Sequence, residues 1–218
     1  MIEAGAKGLV LDNQLVYSLA IFRETFTELQ TSAVQGLAFI VTNVGEARSQ
    51  GAELELYYRP DSNWRVGFNG AYLDAKYVDF PGGPCSSLQN AGLAPGCSGT
   101  PRSQNFSGVP TQFASKWTGS LDVDYVTPLG SGGNEIGLGV SVYGRSKYDS
   151  SLYNDPRMVQ HGYAQLGAHI DYGPADDRWS ISLFGRNLTD ERIIEYSSVV
   201  PGAGTATTGS YSRGRQVG

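Results

Sequence analysis

GAELELYYRP at 51–60, the polar turn Asp61-Ser62-Asn63, then WRVGFNGAY at 64–72, decides the fold. In the first run Ala52, Leu54, Leu56 and Tyr58 fall on one side, and Gly51, Glu53, Glu55 and Tyr57 on the other. In the second, Trp64, Val66, Phe68, Gly70 and Tyr72 oppose Arg65, Gly67, Asn69 and Ala71. A period of two belongs to a strand with two unlike faces, and a short polar turn between two such runs makes a hairpin. The pattern repeats outward. Trp117, Gly119, Leu121, Val123 and Tyr125 oppose Thr118, Ser120, Asp122 and Asp124; Ile136, Leu138, Val140 and Val142 oppose Gly137, Gly139, Ser141 and Tyr143. Ala164 to Tyr172 and Trp179 to Leu183 continue in the same way.

The ends of these runs carry a second signal. Tyr58, Tyr125 and Tyr172 each precede a proline turn, at Pro60, Pro128 and Pro174, and Trp64 and Trp179 open the runs that follow. All five lie on the apolar face. An amphipathic ring is favoured where hydrocarbon meets water, so the five read as an interfacial girdle. Connection lengths sort too. Those at 11–13, 60–63, 128–134 and 174–178 are tight, while 29–36, 80–112, 150–161 and 195–210 are long, the pattern of short periplasmic turns and long extracellular loops. Alternation alone would fit a soluble barrel with its faces exchanged; girdle and loop sorting select the membrane. The expected fold is all-β, an antiparallel up-and-down transmembrane β-barrel. Its eight strands are expected near 2–10, 14–28, 37–59 with an irregular middle, 64–79, 113–127, 135–149, 162–173 and 179–194, with a partial ninth from Tyr211.

Composition is compatible with this. Gly is abundant at 29 of 218 residues, and Tyr at 13 outnumbers Phe at 8. The mean hydropathy of -0.26 is what a wall with one polar face gives, and no run of ~18 apolar residues forms a membrane helix. A net charge of -5 leaves no basic face for nucleic acid. Ile2 to Lys7 has neither the basic start nor the apolar core of a signal peptide, so an exported barrel is expected to have further sequence ahead of it. The inner face, with Glu53, Glu55, Asp122, Asp124, Asp171, Arg65 and Arg145 among glycines and serines, fills little space. That favours a fragment of a large, watered barrel over a small packed one.

NVGEARSQGAELELYYRP (43–60) with WRVGFNGAYLDAKYVDF (64–80) resembles the barrel of TonB-dependent outer-membrane receptors, in which an Asn-x-Gly then Gly-x-Glu strand leads to a strand rich in Tyr-Leu-Asp. IEAGAKG near the start resembles a slightly earlier strand, and FGRNLTDER (184–192) resembles the penultimate-strand motif. The resemblance spans the chain in the family's order. It implies that 1–218 is the C-terminal part of a 22-stranded barrel, with no plug domain in this sequence. The full-length protein would take up a scarce nutrient, such as a metal–siderophore complex, with a plug domain and TonB as partners in the lipid of the outer membrane. The alternative is a complete eight-stranded outer-membrane barrel with a structural or adhesive role.

Chemistry-bearing residues are few. Cys85 and Cys97 flank a Gly/Ser/Pro-rich segment of the longest loop and are expected to form a disulfide, because no further Cys or His stands near to complete a metal site. Ligand contact is expected in the long loops: Phe80, Gln104 and Phe106 in one, Tyr153, Asn154, Asp155 and Arg157 in another. Ordinary loop packing would use the same residue types. His161 and His169 are the only histidines, and His169 falls on the polar face. Asp122 and Asp124 share that face without a base or nucleophile beside them. Neither a Gly-x-Ser-x-Gly elbow nor a phosphate loop is present. No catalytic activity, cofactor or metal is expected.

Overall fold

The computed structural model describes residues 1–35, 37–176 and 178–218. Gly36, the last residue of the expected 29–36 loop, and Asp177, inside the expected 174–178 turn, lie outside the described residues. The long strands are β1 (Ile2–Val10), β2 (Leu15–Gln35), β3 (Ala38–Tyr58) and β4 (Trp64–Asp79), then β5 (Trp117–Leu129) and β6 (Asn134–Arg145). A one-turn helix, α1 (Ser87–Asn90), lies between β4 and β5. Two short strands follow, β7 (Tyr148–Asp149) and β8 (Val159–Gln160), with a 3-10 turn at Pro156–Met158 between them. The chain closes with β9 (Tyr163–Pro174), β10 (Ile181–Arg186), β11 (Ile194–Val199), β12 (Thr207–Tyr211) and β13 (Gln216–Val217).

Nine of these form one antiparallel sheet in the order β1-β2-β3-β4-β5-β6-β9-β10-β13. β11 pairs only with β12, and β7 only with β8. The large sheet stays open, with β1 and β13 at its two edges.

The register puts the expected rows together. Ala52, Tyr72 and Trp117 align across three strands, as do Leu54, Gly70 and Gly119, then Leu56, Phe68 and Leu121. The apolar set therefore forms one continuous face, and its large side chains (Leu19, Ile21, Phe68, Leu121, Leu138, Val140, Ile170 and Leu183) are exposed. At the turn end Trp64 meets Tyr125 with ring centroids 4.6 Å apart, and Tyr172 meets Trp179 at 5.7 Å. Tyr58 stands in the same belt, in register with Leu15 and Val66. A second belt at the opposite end pairs Tyr72 with Trp117 at 4.8 Å. Eight residues separate the belts on both β4 and β5, about 27 Å along a strand and about 21 Å along the normal to a bilayer at a tilt of about 40°.

Tight turns follow local chemistry. Leu11, Asp12 and Asn13 all adopt positive φ, and Gln14 N–H closes on Leu11 O at 3.0 Å. Between β3 and β4, the Asp61 carboxylate accepts from the N–H groups of Asn63 and Trp64, and Asn63 Nδ2 reaches Val126 O at 2.7 Å.

Several boundaries differ from the sequence expectation. β2 does not stop at residue 28. Glu28, at φ 58°, and Gly45 opposite it interrupt the ladder for one pair, after which Leu29↔Val44 resumes it as far as Gln35↔Ala38. The expected 29–36 loop is thus mostly a two-stranded ribbon. The irregularity expected within 37–59 is a register shift between Glu46 and Ala47 against β4. β5 begins at Trp117 rather than 113 because Phe113, at φ 60°, turns its segment out of the ladder. β6 ends at Arg145, since Tyr148 and Asp149 pair with β8. The expected 179–194 strand ends at Arg186, where Asn187 and Asp190 both turn to positive φ. The Asn187 side chain fixes that corner, donating to Glu191 O and Arg213 O and accepting from Glu191 N–H. Tyr211 ends β12 instead of opening a ninth wall strand; β13 takes that place beside β10.

The buried core lies beyond the second belt, at the long-loop end, and not within the wall. Val44, Ala47, Tyr77, Phe80, Phe106 and Leu152 form one cluster, Tyr153, Met158 and Val199 a second, and Ala33 of the ribbon packs against both.

Candidate functional site

The long loops fold into a single cap. Segment 104–111 bonds back to 75–83: Gly83 and Gln104 exchange both backbone bonds, Phe106 N–H reaches Phe80 O at 2.8 Å, and Tyr77 N–H reaches Val109 O at 3.0 Å. Phe106 thereby lies over the backbone of Gly83, where a Cβ would fall 2.5 Å from its ring. Phe80 meets Tyr77 at 5.1 Å and Phe106 at 5.5 Å. Cys85 and Cys97, which bracket α1 in sequence, are joined as a disulfide, their Cα atoms 6.0 Å apart.

Arg157 ties three loops together. Its guanidinium donates to both Asp155 carboxylate oxygens, to Ser87 Oγ at 2.8 Å and to Thr205 O at 2.9 Å. Ser87 Oγ also donates to Thr205 O. Gln104 Nε2 reaches Tyr153 O at 3.2 Å, Tyr148 Oη donates to Ile194 O at 3.0 Å, and the Ser150 and Ser197 hydroxyls share a bond of 2.6 Å. Arg145 anchors the cap to the wall. It donates to Ser115 Oγ at 2.7 Å and to Phe113 O, with its guanidinium 4.1 Å from the Tyr148 ring centre.

Of the seven loop residues singled out in the sequence, five are enclosed. Phe80, Gln104, Phe106, Tyr153 and Asp155 are buried inside the cap. Arg157 is about a third exposed and committed to its clamp, while Asn154 is exposed at φ 49°. Asn154 lines a cavity of about 360 Å³ between the top of β4, segment 109–117 and segment 146–149. Sequence reading missed the partners Ser87 and Thr205, which carry no local pattern. It also left the upper belt unassigned, although Tyr72 and Trp117 stand eight residues from Trp64 and Tyr125.

Two carboxylates of the cap are held in opposite ways. Burial pushes Asp155 up, but hydrogen bonds and charge from Arg157 outweigh it and hold the carboxyl below its ordinary range. Burial raises Asp149, offset in part by bonds from the Ser151 N–H and hydroxyl. The stability contributed by Asp155 is therefore full above its unfolded value of about 3.9 and is lost as pH falls through the lower folded value. That of Asp149 runs oppositely, full at low pH and lost as pH rises through its raised value. Arg157→Ala is expected to cost about 1–3 kcal/mol, less than breaking a fully buried pair, because the guanidinium is partly in water. Amide exchange near Ser87 and Thr205 should rise together, and the acid-dependent loss of stability that Asp155 contributes should disappear. Exchange confined to 155–158 would show the three loops to be independent.

On the polar face of the wall, His169 Nε2 lies 3.3 Å from Asp171 Oδ2 and 3.6 Å from Asp124 Oδ1. Ser182 Oγ donates to the other oxygen of Asp171. The ring crosses Gly139, its neighbour in register, where a Cβ would stand 2.0 Å from His169 Cε1. Gly139→Ala should swing the ring away from both carboxylates at a cost of about 1–3 kcal/mol. An unchanged imidazole NMR signal would contradict that geometry. His161 is exposed between β8 and β9. Asp122 has a register partner in Ser141 and no base beside it in the ladder. Among the described residues no group of three or more His, Cys, Asp or Glu is placed to hold a metal ion.

Comparison with known proteins follows the same lines. Residues 2–188 match the family model described as TonB dependent receptor-like, beta-barrel. The probable TonB-dependent siderophore receptor PiuA of Acinetobacter baumannii is 32% identical over 200 residues, covering 88% of this chain and 23% of that protein. Among solved structures, the ferric yersiniabactin uptake receptor FyuA from Yersinia pestis superposes with a TM-score of 0.70 at 17% identity, over 99% of this chain and 28% of that one. The crystal structure of PiuA gives 0.69 at 20% identity, over 99% and 27%. The chain thus spans about a quarter of the length of these relatives.

Proposed function

Because the chain belongs to the TonB-dependent receptor β-barrel family, we propose that it forms the C-terminal wall and extracellular loops of an outer-membrane receptor for active uptake of a scarce nutrient. The ligand class is a ferric siderophore or similar metal chelate, with a plug domain and TonB as partners in the full-length protein. The role is transport and not catalysis. One observation carries the placement: an exposed apolar face bounded by two aromatic belts, backed by a polar face with carboxylates. In water such a face would be a liability; in a bilayer it is the solvated side. The tight turns then face the periplasm and the cap faces outward. Asn154 and the partly exposed Arg157 are the ligand-contact candidates still open to solvent in the cap, Arg157 being already committed to its clamp; the five enclosed candidates shape the surface from behind.

The self-contained barrel is the weaker reading, because β1 and β13 end the sheet without pairing to each other. The test is uptake. Disrupting the gene in its source organism should abolish accumulation of radiolabelled iron from at least one ferric siderophore, and the product should fractionate with the outer membrane. Full uptake from every siderophore the organism uses, with the product in the soluble fraction, would overturn the proposal.

A further inference from the structure

Above the upper aromatic belt the outer face of the wall changes from apolar to cationic. The row Ile21, Ala52, Tyr72 and Trp117 marks the belt. The next row on the same face is Arg23, Gln50 and Asp74, and the one beyond it is Thr25, Arg48 and Lys76. No register shift separates these rows from the belt, since the shift between β3 and β4 comes higher, between Glu46 and Ala47. With a period of two, the three cations therefore share the side of Leu19, Ile21 and Phe68, the apolar side. Two and four residues beyond the belt correspond to about 5 and 10 Å along the bilayer normal at a tilt of about 40°. Arg23 thus stands within a headgroup layer about 5–7 Å deep, and Arg48 and Lys76 stand at its outer margin.

The cations also stand together. Arg48 and Lys76 are directly opposite in the ladder, which puts their Cβ atoms about 5 Å apart, and Arg23 is the diagonal neighbour of Arg48 at about 7–8 Å. Like charges facing each other across strands destabilise a sheet, so pairing of the wall gives no reason for the arrangement. Asp74 offsets only Lys76, at 3.5 Å, and accepts from Gln50 Nε2 at 3.1 Å. Glu46, the next acid along β3 on this face, lies one row higher. Among the described residues the guanidinium groups of Arg23 and Arg48 make no hydrogen bond or ion pair, and Arg48 Nε is shut off from water without an acceptor. A buried charged donor in that state is costly, and an anion beside the same guanidinium offsets the cost. Two uncompensated arginines at headgroup depth, directly above an apolar face, match a lipid that carries a phosphate at the head of its chains.

We propose that Arg23 and Arg48 bind the phosphate of an anionic lipid in the adjoining leaflet, with Lys76 at the edge of the site and the acyl chains running down the apolar face past Ile21, Ala52 and Tyr72. The inference rests on the membrane placement of the wall and not on the uptake reading. Failure of that placement shows separately, in the response to Leu121→Arg. The experiment reconstitutes the full chain in nanodiscs of phosphatidylcholine with about 20 mol % phosphatidylglycerol as the anionic lipid. It then re-extracts the chain in a non-ionic detergent and measures the retained lipids by mass spectrometry.

Retained phosphatidylglycerol should exceed its bilayer fraction, with roughly fivefold preference per arginine. Arg23→Gln with Arg48→Gln should return the ratio to that of the bilayer, and Arg23→Lys with Arg48→Lys should keep most of the enrichment. Arg65→Gln removes a charge from the opposite face of β4, where Arg65 stands in register with Asp124, and should leave the enrichment unchanged. Circular dichroism on each variant confirms that strand content is unchanged. Saturating inorganic phosphate, compared with chloride at equal ionic strength, should leave the enrichment in place; if it abolishes it, the site belongs to free phosphate and the lipid proposal falls. Absence of enrichment in the parent chain overturns it equally, as does enrichment that survives the double glutamine variant or is lost with Arg65→Gln.

Discussion

Phe106→Ala removes about 3–5 kcal/mol from the loop cap and leaves the wall standing. The ring is 1% exposed and packs on Phe80, on Tyr77 at 6.2 Å and on the backbone of Gly83. Collapse cannot refill the space, because backbone bonds on both sides hold Gly83 to Gln104 and Phe106 to Phe80. Hydrogen exchange should therefore speed up at Gly83, Gln104 and Phe106 and at the loops that Arg157 joins to them. The amides of β5 and β6, held by their own ladder of twelve register pairs, should keep their protection. Equal loosening of wall and cap would mean that the two form one cooperative unit, contrary to the position of the buried clusters beyond the upper belt, away from β5 and β6.

Leu121→Arg, at the midpoint between Trp117 and Tyr125 and in register with Phe68, should cost about 2–4 kcal/mol for folding into lipid vesicles. Ser120→Arg, one residue away on the opposite face, should stay within about 0.5 kcal/mol. The contrast separates a bilayer from water as the solvent of the apolar face. In water an exposed leucine gives way to arginine at little cost, so equal effects at 120 and 121 would remove the membrane placement. Denaturant titration of the two variants beside the parent chain decides it.

The wall was legible because a period of two is local. Each of Leu54, Phe68 and Leu121 declares its face through its own neighbours, and the register then aligned all three faces. The ring pairs at the turn end were legible for the same reason, since Trp64 and Tyr125 each sit beside a turn. The cap was not, because its contacts join residues far apart in sequence, as Arg157 does with Ser87 and Thr205. Phe80 and Phe106 read equally well as ligand-contacting aromatics or as packing, and only the backbone pairing of 104–106 with 80–83 shows them enclosed. The ribbon above residue 28 escaped because Glu28 breaks the alternation while leaving the ladder intact on either side. At 113–116 the error ran the other way: Phe113 and Ser115 alternate with Ala114 and Lys116, but a positive φ at Phe113 takes them out of the sheet.

The eight-residue interval between the two aromatic pairs acts as a thickness gauge. Removing or adding one residue in β4 would send half of that strand's rows to the wrong side, so its length can change only by two. Each such step moves one ring by about 7 Å along the strand, or about 5 Å along the membrane normal. That is a hydrophobic mismatch which the neighbouring strand, unchanged, would not share. Length changes are therefore tolerable only when made in concert by adjacent strands, and under the proposed membrane placement the interval would suit a thin bilayer such as the bacterial outer membrane.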